Sequence, residues 1–217
     1  MTFNTELIVL NYTRFGESSI VLHSLSREYG RKSFLVRIGK KTPMSMFLPL
    51  AILEADVVEN PKATLWTAHG FSSREPLFRL RSDMYKNSIA MFISEVLFRI
   101  LKEEGREDGL YEWCVKQILT LDALESDFSN FHIWFLLELA VAMGFSPSFD
   151  DLAPFADGYY SEIRKFMSSS FSEAMLIPMT GETRASLCEI MIRYLEFHGE
   201  TPLNIRSLSV LNEIYED

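Results

Sequence analysis

The spacing of the apolar residues changes near Ser82, and this change restricts the fold more than any other feature of the sequence. Before it, apolar residues form short runs rich in β-branched and aromatic side chains, separated by Gly, Pro and Asn. After it, they recur at three- and four-residue steps, which is the spacing of amphipathic helices. We therefore expect an α+β chain with a β-rich domain at residues 1–82 and an all-helical domain at residues 83–217.

Five β-rich runs lie in the first domain, which is the strand count of a small closed barrel of the OB type. The runs are Leu7–Leu10, Ser19–His23, Arg31–Ile38, Leu48–Val58 with a break at Pro49, and Thr64–His69. Periodicity alone does not separate this five-stranded OB-type barrel from an SH3-like barrel, so both remain possible at this point.

Helical spacing predicts four helices and a short fifth one in the second domain. They are a helix through Ile89 that ends near Gly105, then Leu110–Leu124, Asn130–Met143, a helix bounded by Gly181 and Gly199, and Ser207–Tyr215. The third is apolar nearly all round, which predicts a central position in its domain. Residues 146–160 contain two prolines and several Asp, and we expect a loop there.

The formal net charge of −9 is divided unequally between the two domains. Residues 1–82 carry eleven Lys or Arg and seven Asp or Glu, whereas the rest of the chain carries ten and twenty-three. The first domain is therefore positive and the second strongly negative. Such asymmetry indicates a nucleic-acid-facing module attached to a domain of another kind.

Positive charge is most concentrated in the segment Arg27–Lys41, which holds six Arg or Lys against one Glu. Tyr29 and Phe34 lie among these cations, and single-strand binders combine a cationic groove with aromatic platforms. A solvated edge strand guarded by lysines is the simpler interpretation, but it accounts for one or two cations rather than six. We therefore favour nucleic-acid binding. Three further cations follow the barrel, namely Arg74, Arg79 and Arg81. They either extend the groove or lie on a linker without contacting nucleic acid.

Several classes of function are disfavoured by what the sequence lacks. It has no phosphate-binding glycine loop, GxSxG elbow or HExxH motif, and its four histidines are isolated, so we expect no enzyme and no cofactor. Two distant cysteines exclude a disulfide framework and a cysteine-based zinc site. Neither a membrane span nor a secretory signal is evident, so a cytoplasmic location is expected. We expect His132, inside the apolar helix, to be a hydrogen-bonded core residue.

The opening segment IVLNYTRFGESSIVLHSLSREYGRKSFLVRIGKK resembles the start of the RecO family of bacterial recombination and repair proteins. The resemblance rests on a tyrosine-containing first strand, the turn Gly16-Glu17-Ser18, the segment Ser26–Arg31 and the basic exit Gly39–Lys41. It continues through LPLAILEADV, FISEVLFRIL, FLLELAVAMGFSPSF and RASLCEIMIRYLEFHG, and so spans nearly the whole chain.

This resemblance implies an N-terminal OB-fold and a C-terminal helical domain. It also implies a protein that binds single- and double-stranded DNA and anneals complementary strands in gap and double-strand-break repair. The implied partners are RecR and the acidic, apolar tail of single-stranded-DNA-binding protein, so that RecA can load, and the implied location is the nucleoid. Many members carry a four-cysteine zinc site after the segment matching Gly144–Pro147, but Ser148–Tyr160 contains no cysteine, so no metal site is expected.

Site residues follow from the same resemblance. The DNA-binding surface would consist of Arg14, Arg27, Arg31, Lys32, Arg37, Lys40 and Lys41. The partner tail would meet a cationic rim in the helical domain, with Arg99, Lys102 and Lys116 as candidates. Two alternatives remain, namely a non-catalytic scaffold whose barrel binds protein and an RNA-binding OB-fold protein.

Overall fold

The computed structural model describes residues 2–40, 42–60, 63, 65–103, 105 and 107–215. Its strands are β1 (Thr2–Phe15), β2 (Ser19–Ser26), β3 (Gly30–Arg37), β4 (Ile52–Val58) and β5 (Trp66–Ser73). They close a barrel in the order β1-β2-β3-β5-β4, in which β3 and β5 are parallel and the other neighbours antiparallel. This architecture confirms the predicted five-stranded OB-type barrel.

The first strand is buried on both sides, which explains why its apolar run does not alternate. Leu7 and Val9 point into the barrel core, whereas Ile8 and Leu10 pack into the core of the helical domain. The strand is 14 residues long, although only its apolar centre was predicted. Its second half, which pairs with β2 in a hairpin, is exposed and so gives no apolar signal.

The fourth strand begins later than predicted. A short 3₁₀ helix, Met44–Phe47, precedes it, and Leu50 adopts a left-handed backbone conformation with φ of 59°. Left-handed geometry cannot continue a strand, so β4 begins only at Ile52, opposite Ile8 of β1. The predicted start of the fifth strand, Thr64, lies outside the described residues.

Beyond the barrel, the regular structure of the described chain is helical. The helices are α1 (Phe78–Ser82), α2 (Met84–Ile100), α3 (Leu110–Ala123), α4 (Phe131–Ala142), α5 (Phe149–Leu152), α6 (Tyr160–Met167), α7 (Phe171–Met175), α8 (Gly181–Gly199) and α9 (Ser207–Ile214). The five predicted helices correspond to α2, α3, α4, α8 and α9, and α4 is central, as expected. No helix of the described residues is long and apolar enough to cross a membrane.

The expectation of a loop at residues 146–160 is only partly correct. The Ser148 hydroxyl accepts a hydrogen bond from the Asp151 backbone N–H, and the Asp151 carboxylate accepts one from the Ser148 backbone N–H. This capping box starts α5 directly after Pro147. A 3₁₀ helix, Ala153–Phe155, follows it. The local capping signal therefore overrides the tendency of prolines and aspartates to form loops.

The helical domain packs against one side of the barrel. Leu25 of β2 and Ile52 of β4 belong to the same buried cluster as the cores of α2, α3 and α4. Leu80 of α1 is in that cluster too, although α1 precedes residue 83. The division of the chain at residues 82 and 83 remains a prediction.

Candidate nucleic-acid interface

OB-folds bind oligonucleotides on the outward side of strands 2 and 3 and on the adjoining loops. Here one half of that side is covered by the helical domain. His23 of β2 lies against Phe98 of α2, with 5.0 Å between ring centroids, and Leu25 continues into the helical core. Arg31 of β3, opposite Leu25, is also covered.

The other half, which we term the open face, remains accessible. Cross-strand pairing aligns its residues in two rows across β1, β2, β3 and β5. The open face consists of Thr13, Val21, Leu35 and Thr67 in one row and Phe15, Ser19 and Arg37 in the next. Thr13 and Thr67 are exposed, and Phe15 is 59% exposed. A partly exposed surface of mixed polar and apolar side chains with a protruding phenyl ring can support stacked bases.

Three of the proposed DNA-binding cations lie at this end of the barrel. Arg14 precedes Phe15 at the tip of the β1–β2 hairpin, Arg37 ends β3, and Lys40 follows it. All three are exposed, and none forms an ion pair with a described residue. Arg14 pairs with Ile20 and Arg37 with Ser19, so alternation places the two guanidinium groups on opposite sides of the sheet. They flank the hairpin end rather than lining one groove.

Arg27 is located elsewhere, at the contact between the barrel and α3. Its Nη1 is 2.7 Å from the Glu6 carboxylate, and its Nε donates to Glu112 at 2.9 Å. Its guanidinium also lies 5.2 Å from the centroid of the Tyr111 ring. Glu112 holds the pKa of Arg27 above its usual range through this hydrogen bond. The expectation that Arg27 binds DNA stays a prediction, but Glu6 of β1 and Glu112 of α3 already engage its guanidinium, away from the hairpin end.

Arg31 is engaged in the same way. It is only 8% exposed, its Nη1 contacts the carboxylate of Glu103 from the α2–α3 connection, and its guanidinium lies 4.8 Å above the Phe98 ring. Its backbone N–H donates to the carbonyl of Gly105 at 3.1 Å. Arg31 thus separates from the open face in this structure, although it lies on the same strand as Arg37.

Lys32 belongs to a third group of side chains. Lys32 places its ammonium 4.4 Å from the centroid of the Trp66 ring, and Trp66 contacts Tyr29, which in turn contacts Phe3. These side chains lie at the end of the barrel where β1 begins, away from the hairpin tip. Lys41 lies outside the described residues.

The three arginines that follow the barrel have largely structural contacts. Arg74 bridges Glu6 and Glu54 at 3.1 Å each, and Arg79 pairs with Glu125. Burial lowers the pKa of Arg81. Of the two possibilities for these cations, extension of a DNA groove or local contacts, the geometry favours local contacts.

The three candidates for binding the partner tail do not share one site. Lys116 lines a cleft of about 700 Å³ between the barrel and α3, together with Arg27 and Leu119. Arg99 lines a separate groove of about 200 Å³ on α2 and is 3.9 Å from Glu95. Lys102 is exposed just after α2. These placements make the larger cleft the better candidate, because it combines exposed apolar side chains with cations.

The segment that holds the zinc site in many family members contains no zinc ligand set here. The capping box at Ser148 and the bonds of Arg193 to the Phe155 carbonyl (2.9 Å) and to Asp157 (2.5 Å) hold it instead. No group of three His, Cys, Asp or Glu residues suited to a metal ion occurs in the described part of the chain. Burial raises the pKa of the Cys114 and Cys188 thiols.

Comparison with known proteins gives the same family for both halves of the chain. A family model described as "Recombination protein O N terminal" matches residues 1–69, and one described as "Recombination protein O C terminal" matches residues 81–154. A protein of Phocaeicola vulgatus named "DNA repair protein RecO" is 28% identical, with 96% of this chain and 97% of the relative aligned. Relatives of the same name in Bacteroides fragilis (27% identity, 96% and 97%) and Flavobacterium johnsoniae (26%, 99% and 100%) are also similar.

Proposed function

The chain belongs to the RecO family of DNA repair proteins, and we propose that it is a non-enzymatic DNA-binding mediator of recombination. In this proposal it binds and anneals single strands at the nucleoid during gap and double-strand-break repair. It acts with RecR and with the tail of single-stranded-DNA-binding protein so that RecA can load. Family membership supports the repair role, and the open face supports the DNA contact.

One observation supports the DNA contact most directly. The barrel cations that meet helical carboxylates, Arg27 and Arg31, are neutralised, whereas Arg14, Arg37 and Lys40 form no ion pair with a described residue. All three lie at the hairpin end that carries Phe15, with Arg14 and Arg37 on opposite sides of the sheet. A protein that is strongly negative overall thus keeps a local cluster of positive charge beside an exposed aromatic ring.

Annealing has a physical basis in this arrangement. Cations that contact the phosphates of two strands offset the repulsion between them, and the exposed ring of Phe15 can stack on one side of a base and leave its other side accessible. Stacking on an aromatic platform contributes about 1–3 kcal/mol per base and tolerates any sequence. Complementary bases can therefore meet while both backbones remain bound.

We expect Arg14→Ala/Arg37→Ala/Lys40→Ala to weaken binding of a single-stranded oligomer and to make it less dependent on salt. Each lost phosphate contact reduces the steepness of log affinity against log salt by about 0.7, so three contacts reduce it by about 2. Fluorescence anisotropy of a labelled oligomer over a series of salt concentrations measures this slope. Annealing of two complementary oligomers coated with single-stranded-DNA-binding protein should be lost in parallel.

The matched control removes three exposed cations from the helical domain and so gives the same change in net charge; these are Arg164, Lys165 and Arg206. It should retain the wild-type slope. Equal slopes for the two triple variants would show that Arg14, Arg37 and Lys40 do not contact the phosphates. An RNA oligomer of the same sequence tests the RNA-binding alternative, because preference for RNA depends on the 2′-hydroxyl groups. Binding of neither oligomer would favour the scaffold.

For the partner tail, we expect Lys116→Ala to weaken binding and Arg99→Ala to leave it unchanged. An exposed ion pair contributes about 0.2–1 kcal/mol, so the loss at Lys116 should be at most about fivefold. Anisotropy with a labelled acidic, apolar tail peptide measures both variants. The opposite ranking would place the tail in the smaller groove on α2.

A further inference from the structure

Arg31 is a buried cation whose hydrogen bonding is incomplete. Its Nη1 contacts Glu103, but its buried Nε has no acceptor among the residues that the structure describes. Only 8% of the residue is exposed, and burial lowers its pKa. A buried donor without an acceptor costs roughly 1–3 kcal/mol. The protein alone therefore leaves one hydrogen-bond donor of this guanidinium without an acceptor. In Arg27, by contrast, Nη1 and Nε each contact a carboxylate.

The position of Arg31 connects it to the open face. Residues 31, 33, 35 and 37 point to the same outward side of β3, so Arg31 and Arg37 are six residues apart on one strand face. At about 3.3 Å per residue, the two Cα atoms are separated by roughly 20 Å. A polynucleotide bound across Leu35 and Arg37 would reach Arg31 if Glu103 moved away.

Glu103 is placed so that it can be displaced. Its side chain is 46% exposed, while that of Arg31 is 10% exposed, so the carboxylate faces solvent and the guanidinium does not. A phosphate has several acceptor oxygens, so it can accept hydrogen bonds from Nη1 and Nε at the same time. Exchange of the carboxylate for a phosphate would thus give both Nη1 and Nε of Arg31 an acceptor.

We propose that Arg31 is a second, covered phosphate-binding position for polynucleotide. Glu103 blocks this position by forming an ion pair with the guanidinium. The carboxylate of the helical domain and the phosphate of the nucleic acid compete for one cation. The covered position extends the contact surface from the open face toward the contact between the barrel and the helical domain. This inference rests on the proposed function, because it assumes that the open face binds a polynucleotide.

The test is the salt dependence of oligomer binding by Glu103→Gln in the full chain. One additional phosphate contact should make the slope of log affinity against log salt steeper by about 0.7 and tighten binding at low salt. Adding Arg31→Ala to Glu103→Gln should restore the wild-type slope. The same arginine substitution in the wild-type background should change the slope much less, since Glu103 is then in place.

Glu107→Gln is the matched control, because it removes an exposed carboxylate from the same connection with the same change in charge. Equal slopes for the Glu103 and Glu107 variants would overturn the inference. Glu103→Asp keeps the charge but shortens the side chain, so it should shift the slope in the same direction by less. If thermal unfolding shows that Glu103→Gln is misfolded, Glu103→Asp takes its place as the test. A wild-type slope for Glu103→Asp would then overturn the inference. If the Arg14, Arg37 and Lys40 substitutions have no effect, the proposed function fails instead, so the two failures are distinguishable.

Discussion

Lys86→Ala is expected to lower the free energy of unfolding by about 3 kcal/mol, one of the two largest stability effects that we predict for this chain. Lys86 lies in the first turn of α2 and is 1% exposed, although lysine is rarely buried. Its ammonium donates to the Asp122 carbonyl at 3.0 Å and to the Leu124 carbonyl. Equilibrium denaturation in urea measures the loss.

These two carbonyls explain the size of the effect. They belong to the last turn of α3 and the residue that follows it, where helix carbonyls lack partners within the helix. The ammonium satisfies both and also carries the charge that the negative end of a helix favours. Burial lowers the pKa of Lys86 because it disfavours the charged form. Keeping Lys86 charged in the folded state therefore costs free energy. Alanine relieves that cost but leaves two partly buried acceptors without the ammonium, and a void.

Lys86→Met separates the void from the lost hydrogen bonds, because methionine retains most of the apolar stem. It should lose less stability than Lys86→Ala, by the amount that the filled volume contributes. Lys165→Ala, at an exposed position near the end of α6, should change stability by no more than about 0.5 kcal/mol. A loss of that small size at Lys86 would contradict the account.

The behaviour of Lys86 shows which parts of the fold the sequence could predict. Apolar spacing predicts α2 because Ile89, Phe92 and Ile93 recur at helical steps and are buried. It does not predict that a lysine near the helix start is buried, because the acceptors lie 36 and 38 residues away on another element. Periodicity reports which face of an element meets the core, and it carries no information on polar partners from distant segments.

The same limit applies to the candidate site. A run of cations from Arg27 to Lys41 reads as one surface, but strand alternation and the helical domain divide it. Glu112, which accepts a hydrogen bond from Arg27, is 85 residues away from it in sequence. Charge counting predicted a positive barrel and a negative helical domain. It could not show that the second neutralises part of the first, because that depends on which side of the barrel the helices cover.

Stability is also expected to fall by about 2 kcal/mol between pH 6.5 and pH 5 through His132 alone. Its side chain is buried between Phe92 and Tyr215, with ring centroids 5.9 and 6.2 Å away. Its Nδ1 has no hydrogen-bond partner within the described part of the chain. Burial, together with the positive charge of Arg184, lowers the pKa of His132 to about 3.

The sign follows from the difference between the two states. Above pH 6.5 the imidazole is neutral in both the folded and the unfolded chain, so it contributes no pH dependence. Between pH 6.5 and about 3 the unfolded chain takes up a proton that the folded chain does not, and stability falls as the pH falls. Each pH unit corresponds to about 1.4 kcal/mol. The expected contribution at pH 5 is therefore about 2 kcal/mol.

His132→Phe keeps a ring between Phe92 and Tyr215 but cannot be protonated. The difference in unfolding free energy between pH 7 and pH 5 should be smaller in this variant than in the wild type by about 2 kcal/mol. Comparing each variant with itself at two pH values cancels the pH-independent change in stability that the substitution causes. His69→Gln, at an exposed position on β5, should retain the wild-type difference. If His132→Phe also retained the wild-type difference, the prediction would be wrong. The imidazole of His132 would then be protonated in the folded state, which requires an acceptor for its second nitrogen and access of water to the core.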